Sequence, residues 1–194
     1  MADEERQTIS DPKRLRALAH PLRWKLMELI GRERTATATR CAELLGESVA
    51  SCSYHLNMLA KYDYIEEAPG GQGREKPWKL VTRFHSLSGD DLNEEGQLAA
   101  EAASEAFIDY EFAVLKDLMR RRSLEPEEWR HKATGLNGTN VYLTPAEAVE
   151  IRERVMELSD RHDDRWDNPD LRPEGAREVR IFFSMLVAPE FPKK

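Results

Sequence analysis

The stretch TATRCAELLGESVASCSYHLNMLAK (37–61) holds two helical segments with a glycine between them and almost no spare chain. Thr39 can cap a short helix running to Leu45, with Leu44 and Leu45 turned inward, and Gly46 supplies the positive-φ turn that follows. A further helix then runs from Ser48 to about Tyr62. In it Val49, Cys52, Leu56 and Leu59 step by three, four and three, which puts them on one buried face. Ser51, Tyr54, Asn57 and Lys61 lie on the opposite face, and the periodicity gives Tyr54 and Asn57 no part in a core.

Upstream, Asp11 and Pro12 make an N-cap and first-turn pair, and Leu15, Leu18 and Leu22 recur at helical spacing. Pro21 lacks a backbone donor and biases His20 away from helix, so a break is expected at His20-Pro21, with helix resuming through Leu22, Leu26 and Leu29 and ending at Gly31. Downstream, strand-like segments at Tyr64–Glu67 and Trp78–Thr82 flank PGGQGREKP, which predicts a hairpin with a basic, glycine-rich tip. HSLSGDDLNEEG then reads as a linker. From about Glu94 to Arg122 runs an alanine-rich helix with two apolar stripes, Phe107, Tyr110, Val114 and Leu118 on one and Ile108, Phe112, Leu115 and Met119 on the other. Two stripes imply burial from two sides, against the chain itself and against a partner copy. The last third reads as a small α/β unit. Val141–Leu143 is strand-like, Thr144-Pro145-Ala146-Glu147 is a capping box opening a helix to about His162, and Arg177–Val187 has the β-branched and aromatic content of a closing strand.

Composition narrows the function classes. At 40% apolar and 34% charged residues the chain has enough apolar surface to fold. Its longest apolar run, Ile181–Ala188, is too short to span a bilayer, and MADEERQT has neither the charge nor the apolar stretch of a targeting signal, so a cytoplasmic protein is expected. The net charge of −7 argues against nucleic acid until it is divided along the chain. Residues 10–85 hold 13 Lys and Arg against 9 Asp and Glu, a balance of +4, whereas residues 86–194 hold 15 against 24, a balance of −9. A basic face and an acidic remainder can coexist, and the remainder would repel DNA from the wrong side.

Three helices followed by a hairpin give the order of a winged helix-turn-helix. A major groove about 12 Å wide admits one α-helix. The DNA-facing candidates are therefore Ser51, Tyr54, Asn57 and Lys61 on the exposed face of the third helix, Ser48 at its start, and Arg74 and Lys76 from the hairpin tip; Ser53 and His55 join them only through the family resemblance that follows. The motifs ALAHPLR (17–23), TATRCAELLG (37–46), SYHLNMLAKY (53–62) and GREKPWKL (73–80) fall in the order seen in the ArsR family of bacterial winged-helix repressors, which residues 11–83 resemble. The remainder resembles the more divergent accessory domains of actinobacterial members, best at YLTPAEA (142–148). The resemblance implies that the helix holding Ser53, Tyr54, His55 and Asn57 is the recognition helix. It also implies homodimers on palindromic operators, usually acting as repressors. Metal-sensing members carry a cysteine pair in a short motif or His and acidic ligands on a later helix; here Cys41 and Cys52 stand eleven residues apart, and no metal site or cofactor is expected.

Each of these residues also has an ordinary structural use. His55 can pack within the domain or contact phosphate, and Trp78 fits a role holding the hairpin to the helices. Arg120–Arg122 complement a helix dipole, and His162-Asp163-Asp164 suit a solvated helix end. No GxSxG, P-loop or HExxH motif is present, which leaves no enzyme reading. The expected architecture is mainly α with small β: a winged helix at 10–85, a linker and dimerisation helix at 86–125, and a C-terminal α/β accessory domain at 126–194. The expected function is a homodimeric DNA-binding regulator with double-stranded DNA as partner and a small-molecule or protein effector at the C-terminal domain, where Trp129, Tyr142, Trp166 and Phe182 can line a pocket or fill a core. The competing reading is a winged-helix module that docks protein instead of DNA.

Overall fold

Local chemistry sets most helix boundaries in the N-terminal half. The computed structural model describes residues 7–71, 75–82, 85–87 and 92–189. Helix α1 (Pro12–Leu18) starts where the Asp11 carboxylate accepts from the Lys13 amide at 2.8 Å. The chain leaves helix at Ala19 and His20, and α2 (Pro21–Glu33) begins with Pro21 in its first turn. His20 caps it, its Nδ1 accepting from the Leu22 amide at 3.2 Å. Gly31 does not end α2; it is buried inside the helix, which runs on to Glu33 and stops at Arg34, whose φ is 68°.

Helix α3 (Ala38–Leu45) is capped by Thr37, whose hydroxyl accepts from the Arg40 amide, and not by Thr39, which lies within the first turn. Its inward side chains are Cys41 and Ala42, whereas Leu44 is 45% exposed and Leu45 half-buried, so the helix sits rotated from the orientation expected of its two leucines. Gly46 takes φ 69°, a left-handed conformation that a side chain would strain, and allows α4 (Val49–Lys61) to start three residues later under a Ser48 cap.

The hairpin follows α4. Strands β2 (Ile65–Glu67) and β3 (Trp78–Leu80) pair antiparallel with Glu66 opposite Lys79, and Ala36 extends this sheet by exchanging both backbone hydrogen bonds with Trp78. The segment expected as a linker contains a strand. His85–Leu87 pairs in parallel with Gln7–Ile9, Ile9 opposite Leu87; these two are named β4 and β1.

Helix α5 (Glu94–Arg121) lays its alanines Ala99, Ala103 and Ala106 against α1 and α2, where small side chains let the backbones approach. Gly96 leaves room for Leu92 just ahead of the helix, since a Cβ there would stand 2.6 Å from that of Leu92. Trp24 is pinned between these helices by its Nε1 donating to the Leu18 carbonyl at 2.9 Å and by the Phe107 ring 4.8 Å away. Tyr64, fully buried, donates to the Arg14 carbonyl at 2.9 Å, and burial pushes its phenol up to about 12.

The chain divides into two units, Met1–Leu124 and Glu125–Lys194. The second is helical and not α/β. Thr144 and Glu147 form the expected capping box of α6 (Pro145–Asp160), and α7 (Asp164–Asp167) follows, but neither Val141–Leu143 nor Arg177–Val187 forms a strand. Strand-forming side chains need a neighbouring edge to pair with, and among the described residues of this unit there is none. No side chain among them is buried, and Tyr142 is fully exposed. No helix among the described residues is long and apolar enough to cross a membrane.

Candidate nucleic-acid interface

Helix α4 is amphipathic in a way that fixes its rotation. Cys52, Leu56 and Leu59 are wholly buried, which ties the helix to α2 and α3 and leaves the other face to solvent. On that face Tyr54 is 59% exposed, and Asn57 and Lys61 are also exposed. Ser48 lies at the exposed N-terminal end, where its hydroxyl accepts from the Ser51 amide at 3.1 Å; Ser51 and Ser53 are half-buried beside it. Asn57 folds its amide back along the helix, Nδ2 donating to the Ser53 carbonyl at 2.8 Å, which leaves Oδ1 as the outward acceptor.

Two assignments change. Val49, the first residue of α4, is 49% exposed. His55, expected either to pack or to meet phosphate, packs: it is 8% exposed, its Nδ1 accepting from Arg23 Nε at 3.2 Å. Its ring lies 4.3 Å from that of His20 and meets the Tyr54 ring edge-on at 5.1 Å. The sequence carried a signal for this, since a step of three from Cys52 lands on His55 and the next step of four on Leu59. Buried Arg23 has no comparable signal, lying next to Leu22 in a helix read from its leucines.

The hairpin is electrostatically quieter than its lysines suggest. Lys76 pairs with Glu67 at 2.9 Å and Lys79 with Glu66 at 2.8 Å, each across the strand pair. Lys76 also lies 5.9 Å from the Trp78 ring, and Trp78, at 7% exposure, holds the hairpin to the helices as expected. Arg74 falls outside the described residues. A cleft of about 200 Å³ opens between the hairpin and the starts of α3 and α4, lined by Thr37, Thr39, Ser53, Asn57, Glu75, Lys76 and Trp78. Within it the Thr39 hydroxyl donates to Glu75 at 3.0 Å. On α3, Arg40 is held by Glu33 at 3.0 Å, and that hydrogen bond and charge raise its guanidinium above its ordinary value.

Both cysteines are buried. Burial first, then the neighbouring Cys52 and Glu33, push the Cys41 thiol up to about 12, and burial followed by Glu47 raises Cys52. No group of three or more His, Cys, Asp or Glu among the described residues is placed to hold a metal ion. Neither thiol is expected to react with an aromatic disulfide reagent at about pH 8 while the protein stays folded. Native labelling faster than global unfolding, followed by absorbance and mass, is the result that contradicts this.

No family model and no curated protein matches this chain.

Proposed function

We propose that this chain is a sequence-specific, DNA-binding transcriptional regulator of winged helix-turn-helix form. It acts as a homodimer, as a repressor on a palindromic operator. The observation that carries the reading is the division of α4 into a dry inner face, with Cys52, Leu56 and Leu59 wholly buried, and an outer face offering Tyr54, Asn57 and Lys61 beside a hairpin. A helix anchored in this manner keeps a fixed pose when pushed into a groove, and a phenol, an amide and an ammonium are the groups that meet base edges and phosphates. The close succession of α3 and α4 across Gly46 and the resemblance of residues 11–83 to the ArsR family support the same reading. Selecting bound fragments from a random DNA pool at controlled salt tests it; enrichment of one palindromic sequence is the expected outcome, and no enrichment overturns it.

One observation favours the protein-docking alternative. The carboxylates of Glu66 and Glu67 neutralise the lysines that a DNA-following hairpin would use. The two readings separate on salt. If the hairpin follows the DNA backbone, Lys76→Ala weakens operator and scrambled duplex alike and lowers the salt slope by about one. An unchanged slope, with affinity measured at several salt concentrations, places Lys76 off the DNA.

A further inference from the structure

Arg23 and His55 join three helices below the outer face of α4. Arg23 is 8% exposed. Its Nη1 donates to the Ala17 carbonyl at 2.7 Å and to the Arg16 carbonyl at 3.2 Å, so the guanidinium closes the last turn of α1, where a positive charge suits the helix dipole. Its Nε donates to His55 Nδ1 on α4. A guanidinium has no acceptor, so this bond exists only while Nδ1 of His55 keeps its lone pair. Neutral His55 therefore carries its proton on Nε2, and any second proton has to enter at Nδ1. Charging the ring breaks the bond, sets two N–H groups against each other and adds a cation beside Arg23.

The groups around the ring bias the same way. From the start of α2, His20 faces His55 at 4.3 Å, and its own Nδ1 is committed to capping α2. Arg23 faces it from within α2, Tyr54 lies against it on α4, Tyr62 past the end of α4 bears on Arg23, and Glu47 in the turn before α4 is the carboxylate that opposes the trend. Burial first, then His20 and Arg23, hold the His55 imidazole below its ordinary value of 6.5. Burial also lowers Arg23.

We propose that Arg23 and His55 are positioning residues that set the pose of α4, and that specific DNA binding is lost on acidification because protonated His55 releases α4 from Arg23. The proposal rests on the reading of α4 as the DNA-facing helix. The sign follows from the depressed value. The folded state prefers the neutral ring, so its contribution is complete above about pH 6.5 and is lost as the pH falls below that through the folded value.

The test uses the full-length chain, the operator from DNA selection, and a scrambled duplex, at constant ionic strength from about pH 8 to about pH 5.5. Wild-type affinity for the operator should fall about tenfold or more, with less than a threefold change on the scrambled duplex. His55→Gln, whose amide oxygen can still accept from Arg23 but does not titrate, should bind the operator with nearly the same affinity at both ends of the range. A flat wild-type profile, or the same fall in His55→Gln, overturns the proposal. In the free protein the His55 ring, followed by NMR, should titrate below about 6.5, and the protection of α4 amides, taken relative to the intrinsic exchange rate at each pH, should fall as it does. Constant protection of α4 through that titration also overturns it. If selection yields no DNA sequence, the DNA reading fails, and the NMR arm alone decides the positioning role.

Discussion

Ile108→Glu is expected to raise the dissociation constant of the homodimer by at least about a hundredfold, worth about 2.7 kcal/mol. The reason lies in the geometry of α5. With about 100° between successive residues, Ala99, Ala103, Ala106 and Tyr110 form one line, buried against the chain's own α1 and α2. Ile108, Phe112, Leu115 and Met119 form the line on the other side, and Ile108, Phe112 and Met119 are 41%, 48% and 44% exposed. On a monomer Ile108→Glu would be a surface change within about 0.5 kcal/mol, and thermal unfolding would barely move. In a dimer sealed by this stripe the same substitution buries an unpaired charge twice about the two-fold axis, at several kcal/mol. Sedimentation of wild type and variant from nanomolar to micromolar concentration decides between them. A wild type that sediments as a monomer at micromolar concentration removes the dimer from the proposal.

What the sequence made legible is what its local chemistry determines. Asp11 with Pro12, Gly46, and the Thr144–Glu147 box each satisfy backbone groups within a few residues, and each stands where it was read, whereas Ser48, read as the start of α4, is its cap. Choices among equivalent local signals went astray. Thr37 and Thr39 are both able to cap α3, and only the extended backbone at Thr37 selects it. Arg34, and not Gly31, ends α2, since an interior glycine costs a helix only about 1 kcal/mol and burial in the core outweighs that. The features that depend on distant partners were out of reach. The pairing of Gln7–Ile9 with His85–Leu87 links segments with no shared local motif, and the β-rich composition of Arg177–Val187 does not make a strand without an edge beside it.

The candidate site shows the same division. The inner face of α4 was legible because three of its four apolar positions follow the helical period into the core. The ion pairs that quiet Lys76 and Lys79 depend on strand register, which sets Glu66 opposite Lys79 and Glu67 opposite Trp78. Counting charges gave a basic N-terminal module. Register pairs two of those lysines with carboxylates, so on the proposed DNA-binding reading α4 and not the hairpin would carry most of the recognition.

Asn57→Ala is therefore expected to be the most selective loss on the interface. Asn57 is exposed near the middle of α4, one helical turn beyond Ser53 and three residues beyond Tyr54, where a helix lying in the major groove presents side chains to base edges. Its amide now donates to the Ser53 carbonyl at 2.8 Å, a bond worth about 1 kcal/mol or less on an exposed face, so rotating outward to an adenine costs little. Bidentate pairing of an amide with adenine contributes about 1–3 kcal/mol of discrimination, and alanine forfeits it. The expected result is a loss of about 1–3 kcal/mol on the selected operator and near-unchanged affinity for a scrambled duplex, with the salt slope intact because no phosphate contact is removed. Leaving the fold alone is part of the expectation, since Asn57 buries nothing and an alanine suits a helix at least as well. Equal losses on both duplexes would make Asn57 a backbone contact. No loss on either, in a protein with unchanged unfolding temperature, would turn the outer face of α4 away from DNA and leave protein docking as the better account of its exposed tyrosine and amide.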